Sequence, residues 1–255
     1  MRVKLTVEYD GTKYAGWQRQ KNAVSVQETL ERAFFAATGE KVCVHGAGRT
    51  DAGVHARAQV AHLDTNCSIP AGRISFALNM HLPADIRVLN SQETAQDFHS
   101  RYCAKAKTYR YTIHNDFHAP AIMRHTAAHV RGDLDIGAMR KAAQAVIGTH
   151  DFAAFCAAGS GIESTVRTVH DIDIYQRRPL IYIDITGSGF LYRMVRIIAG
   201  TLIEIGLKKR PPECMAGIIA GRDRNAAGIT AAAKGLTLMN VSYRPDADER
   251  GYSEK

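Results

Sequence analysis

Arg2-Val3-Lys4-Leu5-Thr6-Val7-Glu8-Tyr9 sets Val3, Leu5, Val7 and Tyr9 in alternation with Lys4, Thr6 and Glu8, the two-residue period of a strand with one face in a core. Asp10-Gly11-Thr12 ends it with turn residues. Ser25-Val26-Gln27-Glu28 then has the form of a capping box. The helix it opens carries Val26, Leu30, Ala33, Phe34 and Ala37 along one side. Residues 42–45 and 59–63 read as strands flanking a glycine-rich loop at 48–55, residues 70–80 as a helix and 86–89 as a strand. The first hundred residues thus have the order β-α-β-β-α-β.

That order recurs. Residues 107–113 alternate tyrosine and isoleucine with polar side chains, and 134–147 are helical with Asp133 or Asp135 as cap. Residues 166–175 and 180–186 form a hairpin across Arg177-Arg178-Pro179; helices at 191–205 and 212–220 follow, then a strand at 236–243. The expectation is an α+β fold of two ferredoxin-like (split β-α-β) halves, residues 1–103 and 104–245, before a polar, frayed tail at 246–255. Their strands are expected to join in one central, mostly antiparallel sheet, with helices on one face and the other face open to a ligand.

A chain of 255 residues, 45% hydrophobic and 23% charged, has the composition of a globular protein with a sizeable core. No apolar run reaches the roughly 18 residues of a membrane span, and residues 190–205 are interrupted by Arg193, Arg196 and Glu204. The N-terminus opens directly on a strand pattern rather than a signal peptide. Cys43, Cys67, Cys103, Cys156 and Cys214 are odd in number and contain no Cys-x-x-Cys pair, which argues against a disulfide framework or zinc site and fits a soluble protein of the reducing cytoplasm. His125 and His129 have helical spacing without the glutamate of a zincin, so no metal is expected. The net charge of +8 leans towards a polyanionic partner: 12 basic against 10 acidic residues through position 103, then 21 against 15. Fourteen of those 21 are arginine, the residue suited to bidentate phosphate contact and base stacking.

Three glycine clusters fail as nucleotide motifs. Gly46-Ala47-Gly48 would place Asp51 where a third glycine must meet a pyrophosphate. Gly48 to Gly53 has P-loop spacing, but Val54-His55 replaces the required Lys-Ser/Thr, and Gly187-Ser188-Gly189 is followed by Tyr192. What remains is a carboxylate framed by glycines, with Arg49 two residues before it and His55 four after. Two readings stand level at this point: a reactive Asp51, or an Asx-turn with Arg49 in a surface ion pair.

Gly48-Arg49-Thr50-Asp51-Ala52-Gly53-Val54-His55-Ala56 resembles the signature loop of the tRNA pseudouridine synthase A family. Five further blocks are similar to that family in its own order. They are Tyr9-Asp10-Gly11-Thr12 with Gly16-Trp17-Gln18-Arg19-Gln20, and Phe98-His99 with Lys107-Thr108-Tyr109-Arg110-Tyr111. Then come Gly148-Thr149-His150-Asp151-Phe152, Phe190-Leu191 with Met194-Val195-Arg196, and Gly235-Leu236 with Leu238. The sequence departs from the pattern at Ala231-Ala232-Ala233, where the family has a proline-containing stretch, and at Thr237, where it has an aromatic. The resemblance implies a cofactor-free isomerase, a homodimer that converts uridines 38, 39 and 40 of the tRNA anticodon stem-loop to pseudouridine. Asp51 is then the catalytic carboxylate, Tyr109 the residue stacked on the target base and Arg196 the partner of Asp51. Arg49 would fill the space the flipped base leaves. From their place in the last strand, Leu236 and Leu238 pack either the pocket wall or simply that strand.

The chemistry fits one carboxylate. Isomerisation breaks N1–C1′ and remakes the link from C5; the uracil stays and returns, so neither a departing group nor a water needs the second carboxyl of a glycosidase. Tyr109 and Trp17 have simpler readings as a buried strand tyrosine and a core residue. A non-catalytic tandem RNA-binding module is one rival reading, though it has no use for a glycine-framed aspartate. A glycoside hydrolase is the other, and it predicts a carboxylate pair.

Overall fold

The alternation at 2–9 becomes strand β1 (Arg2–Tyr9), with Val3, Leu5, Val7 and Tyr9 buried, in a computed structural model that describes residues 1–159, 161 and 163–243. Ser25 caps α1 (Val26–Thr38) by accepting the Glu28 amide at 3.2 Å, and Gly39 ends the helix at φ 74°. β2 (His45–Gly46), β3 (His55–Asp64), α2 (Ile74–Asn79) and β4 (Ile86–Thr94) complete the first set of elements. The strand expected at 42–45 shrinks to β2 because the Val44 amide donates to the Glu31 carboxylate at 3.1 Å instead of to a ladder. The expected helix at 70–80 begins as a 3-10 turn at Ala71–Arg73 and tightens into α2.

The second set runs β5 (Ala106–Asn115), β6 (Ala128–Val130), α3 (Ile136–Ala143), β7 (Gly148–Asp151), β8 (Val166–Arg177) and β9 (Leu180–Gly187). It continues with α4 (Met194–Gly206), α5 (Cys214–Gly221) and β10 (Leu236–Ser242). Asp135, not Asp133, caps α3. α4 starts three residues later than the pattern suggests, because Arg193 holds φ 60°, a left-handed conformation that interrupts the helical hydrogen bonds.

One sheet runs in the order β4-β1-β3-β10-β5-β9-β8-β7, antiparallel except where β10 meets β3 and β6 meets β5. Strands β4, β1, β3 and β2 have the 4-1-3-2 order of a ferredoxin-like unit, and β10, β5, β9 and β8 repeat it. The units join along a single edge of β3: its start pairs with β10 (His55 with Thr237) and its far end with β2 (His62 with His45). Tyr9, Ala56, Leu238, Tyr109 and Ile185 are successive partners across five strands and so share one face, where they are buried. α4 packs on β5 and α3, and α2 on β4 and α1. All lie in one continuous core. The tail expected at 246–255 lies outside the described residues.

Candidate active site

Residues 47–54 cross the seam where β2 and β10 divide the edge of β3, and nearly every one of them is held. The Lys107 ammonium donates to the Ala47 carbonyl at 2.7 Å, and the Gln59 amide nitrogen to the Gly48 carbonyl at 2.9 Å. The Trp17 amide donates to the Thr50 carbonyl at 3.1 Å, and the Tyr9 and Thr50 hydroxyls are 2.8 Å apart. The Gly53 amide, at φ 76°, donates to the Tyr14 carbonyl. The opening block of the sequence is thus the bed of this loop. A Cβ on Gly11 would stand 1.9 Å from the Val54 carbonyl oxygen, and one on Gly16, whose φ is 91°, 2.4 Å from that of Thr50. Trp17 is buried with its ring against Gly46, a fold-supporting role.

The Asp51 carboxylate leaves this fixed loop towards α4, where Arg196 Nη1 donates to Oδ2 at 2.7 Å. The side chains keep 19% and 13% of their exposure, so the pair is largely but not wholly withdrawn from water. Arg196 is itself fixed: its Nε donates to the Ala231 carbonyl at 2.8 Å, and the Ala231 amide returns a bond to the Arg196 carbonyl. The alanine run that departs from the family pattern is therefore the brace of the arginine. Tyr111 secures the next residue by donating its hydroxyl to the Ala232 carbonyl at 3.0 Å.

Asp51 opens into a cleft of about 1090 Å³ on the helix-bearing face. This corrects the expectation of a ligand site on the bare face: Tyr109 and Leu236 belong to the row of side chains the helices cover, and the cleft lies between helices. Tyr109, 7% exposed, meets Phe190 edge to face at 5.3 Å. Burial pushes its hydroxyl well above the ordinary tyrosine range, with smaller contributions from Tyr9 and Asp51. Leu236 and Met194 add apolar wall. Among the described residues lining the cleft Asp51 is the only carboxylate, against Arg19, Arg49, Arg101, Lys107, Arg193 and Arg196. A glycosidase pair is absent from this lining.

The structure brings Asp51, Tyr109, Arg196, Leu236 and Arg49 to this one cleft. Arg49 is exposed and, among the described residues, makes no hydrogen bond or ion pair, so the Asx-turn reading with a surface Arg49 pair does not apply. His55 turns away. Its Nδ1 accepts the Gly11 amide at 3.0 Å and its Nε2 contacts the His125 carbonyl at 2.8 Å, so it clamps three segments behind the loop. Lys107 and Phe190 also line the cleft, and the quoted blocks contain both without singling them out. Only the tertiary pairing places them at the loop stem and beside Tyr109. Burial, followed by repulsion from Arg101, pushes the Lys107 ammonium down to about 8. Groups of three or more potential metal ligands are absent among the described residues.

With fold and site in place, comparison with known proteins gives one family. The chain belongs to the tRNA pseudouridine synthase family, whose profile matches residues 5–103 and 142–244. A protein of Ruminiclostridium cellulolyticum named tRNA pseudouridine synthase A is 50% identical over 243 residues, 95% of this chain and 99% of its own. One of the same name from Acetivibrio thermocellus is 51% identical over 241 residues, 94% of this chain and 99% of its own. Among solved structures, a chain of a Cbf5-Nop10-Gar1 complex aligns at TM-score 0.41 and 11% identity, over 94% of this chain and 50% of that one, too distant to bear on the reading.

Proposed function

We propose that this chain isomerises uridine to pseudouridine in tRNA, at positions 38, 39 and 40 of the anticodon stem-loop, with Asp51 as the catalytic carboxylate. The observation that carries the proposal is that Asp51, paired with Arg196, is the only carboxylate among the described residues of a cleft whose lining also carries six cations, aromatic rings and an apolar wall. Residues 1–103 supply Asp51 and Arg49; residues 104–245 supply Tyr109, Arg196 and Leu236. The acting form is a homodimer in the cytoplasm.

The target uridine leaves the stem and enters the cleft, at a cost of a few kcal/mol. Stacking on the Tyr109 ring returns about 1–3 kcal/mol, and the cationic rim engages phosphates. Arg49 occupies the gap in the stem. Asp51 engages the ribose as N1–C1′ breaks, and Arg196 holds the carboxylate in place once the base has excluded water. The uracil turns within the apolar wall of Leu236 and Phe190, C5 bonds to C1′ and gives up its proton to solvent, and N1 takes up a proton, so the product is an isomer of the substrate. Substrate tRNA tritiated at uridine C5 tests the scheme directly. The wild-type chain releases tritium, whereas Asp51→Asn, nearly isosteric but neither base nor nucleophile, releases none and keeps tRNA affinity within a few-fold. Tritium release by purified Asp51→Asn would remove Asp51 from the reaction.

A further inference from the structure

A second aromatic feature in the cleft wall serves neither Asp51 nor Tyr109. His45 stacks on His62 at 5.1 Å, His62 meets the edge of His99 at 4.7 Å, and His99 lies against Tyr102 at 4.3 Å. The column is rooted in the core at its second member, His62, which is 3% exposed, and ends on Tyr102, which is 75% exposed. His45, His99 and Tyr102 all line the cleft. Hydrogen bonds lock the segment that carries the column. His99 Nδ1 accepts the amides of Arg101 and Tyr102 at 3.1 and 3.3 Å, and the His99 carbonyl accepts the Cys103 amide at 3.0 Å. The buried Ser100 donates its hydroxyl to the His45 carbonyl at 2.7 Å, and Tyr243 donates to the Ser100 carbonyl at 2.7 Å. Tyr102 is thus a largely exposed aromatic ring with His99 against it, and the Arg101 guanidinium lies over the ring at 5.8 Å from its centroid. Burial first, then His45, holds the His99 imidazole below its ordinary pKa, so the backing ring is uncharged at neutral pH.

A tyrosine this exposed adds little to the core, yet its backbone is tied by hydrogen bonds and its ring lies beside an arginine in a cationic cleft. Single-stranded nucleotides bind to that combination: a flat ring for the base, with the charge near the backbone. We propose that Tyr102, backed by His99 and flanked by Arg101, is a stacking platform for a second nucleobase of the RNA, a neighbour of the uridine being modified. The proposal rests on the RNA reading of the cleft but assigns a site separate from the Tyr109 pocket.

The test uses anticodon stem-loops with 2-aminopurine placed in turn on either side of the target uridine, together with affinity from titration. Binding to the wild-type chain is expected to quench one of the two positions through stacking. Tyr102→Phe keeps the quench and the affinity. Tyr102→Ala loses the quench and weakens binding about 5- to 150-fold, the range for one lost base stack. Tyr102→Leu, which keeps apolar bulk without a π-face, is expected to behave as Ala does. Unchanged quenching and affinity in both Ala and Leu variants would overturn the platform. Tritium release by the wild type is measured in parallel and answers the separate question of the reaction. Quenching that depends on Tyr102 without any tritium release would refute the isomerase reading and keep the stacking site.

Discussion

Arg196 offers the sharpest measurement, because its guanidinium links the carboxylate to the loop behind it. At 2.7 Å and an effective dielectric constant of about 20, the attraction to Asp51 is roughly 6 kcal/mol before desolvation is charged against it. With both side chains retaining some exposure, the net value falls to that of a charged hydrogen bond, about 1.5–3 kcal/mol. If that energy holds Asp51 in its reactive position, Arg196→Met lowers the turnover rate about 10- to 150-fold. Arg196→Lys recovers only part of the loss. One ammonium cannot reach both Asp51 Oδ2 and the Ala231 carbonyl, which the rigid fork serves from separate nitrogens. Tritium release at saturating tRNA gives the rate. A double-mutant cycle of Arg196→Met with Asp51→Asn in urea denaturation gives the coupling, expected at about 1.5–3 kcal/mol. A coupling near zero, or Arg196→Met turning over within twofold of wild type, would refute the claim that this pair positions the carboxylate.

Three other experiments probe the surroundings of that pair. Tyr109→Phe is expected to keep tRNA binding and turnover and Tyr109→Ala to lose both, since the contribution is the ring; a Phe variant as poor as Ala would assign the work to the hydroxyl. Gly16→Ala combines a left-handed φ with a Cβ 2.4 Å from the Thr50 oxygen and is expected to cost about 2–4 kcal/mol and most of the activity. Gly217→Ala, in α5 with nothing within 4 Å, should stabilise the helix by about 0.5–1 kcal/mol; equal urea midpoints for the two would contradict the account of the loop bed. His62 is pushed down to about 4, by burial first and then by His99 and His45. Between pH 6.5 and 4 the unfolded chain therefore binds the proton that the folded chain refuses, and stability falls as the pH drops through that window. Urea midpoints against pH should show this slope in the wild type and a flatter one in His62→Gln.

What could be read from the sequence follows the range of the forces involved. The alternation at 2–9, the Ser25 cap and the 166–175/180–186 hairpin are set by neighbours a few positions apart; the first two appear where the pattern puts them, and the hairpin turn tightens from Arg177-Arg178-Pro179 to two residues because Arg177 pairs with Leu180. β7 and β6 leave no pattern in the sequence, because four and three residues are too few to display a period. Asp51 stood out through its glycine frame. The positions that explain the frame, Gly11 and Gly16 beneath it and Lys107 at its stem, are visible only once distant segments meet. The same holds for the Ala231 brace: the departure from the family pattern was plain, but its bond to Arg196 spans 35 residues.

The position of β10 has a consequence for how the protein comes into being on the ribosome. This strand lies between β3 and β5, so His55 finds its neighbour Thr237 only after more than a hundred and eighty further residues have been synthesised. Until then β3 and β5 each lack that partner, and unpaired edges of this kind invite wrong pairings in a nascent chain. The Ala231–Ala233 run and Leu236 arrive with the same segment, so the brace of Arg196 and part of the pocket wall come only with it. Catalytic competence is thereby tied to the arrival of β10. A fragment released early carries Asp51 and Arg196 but not the strand that joins the half bearing one to the half bearing the other.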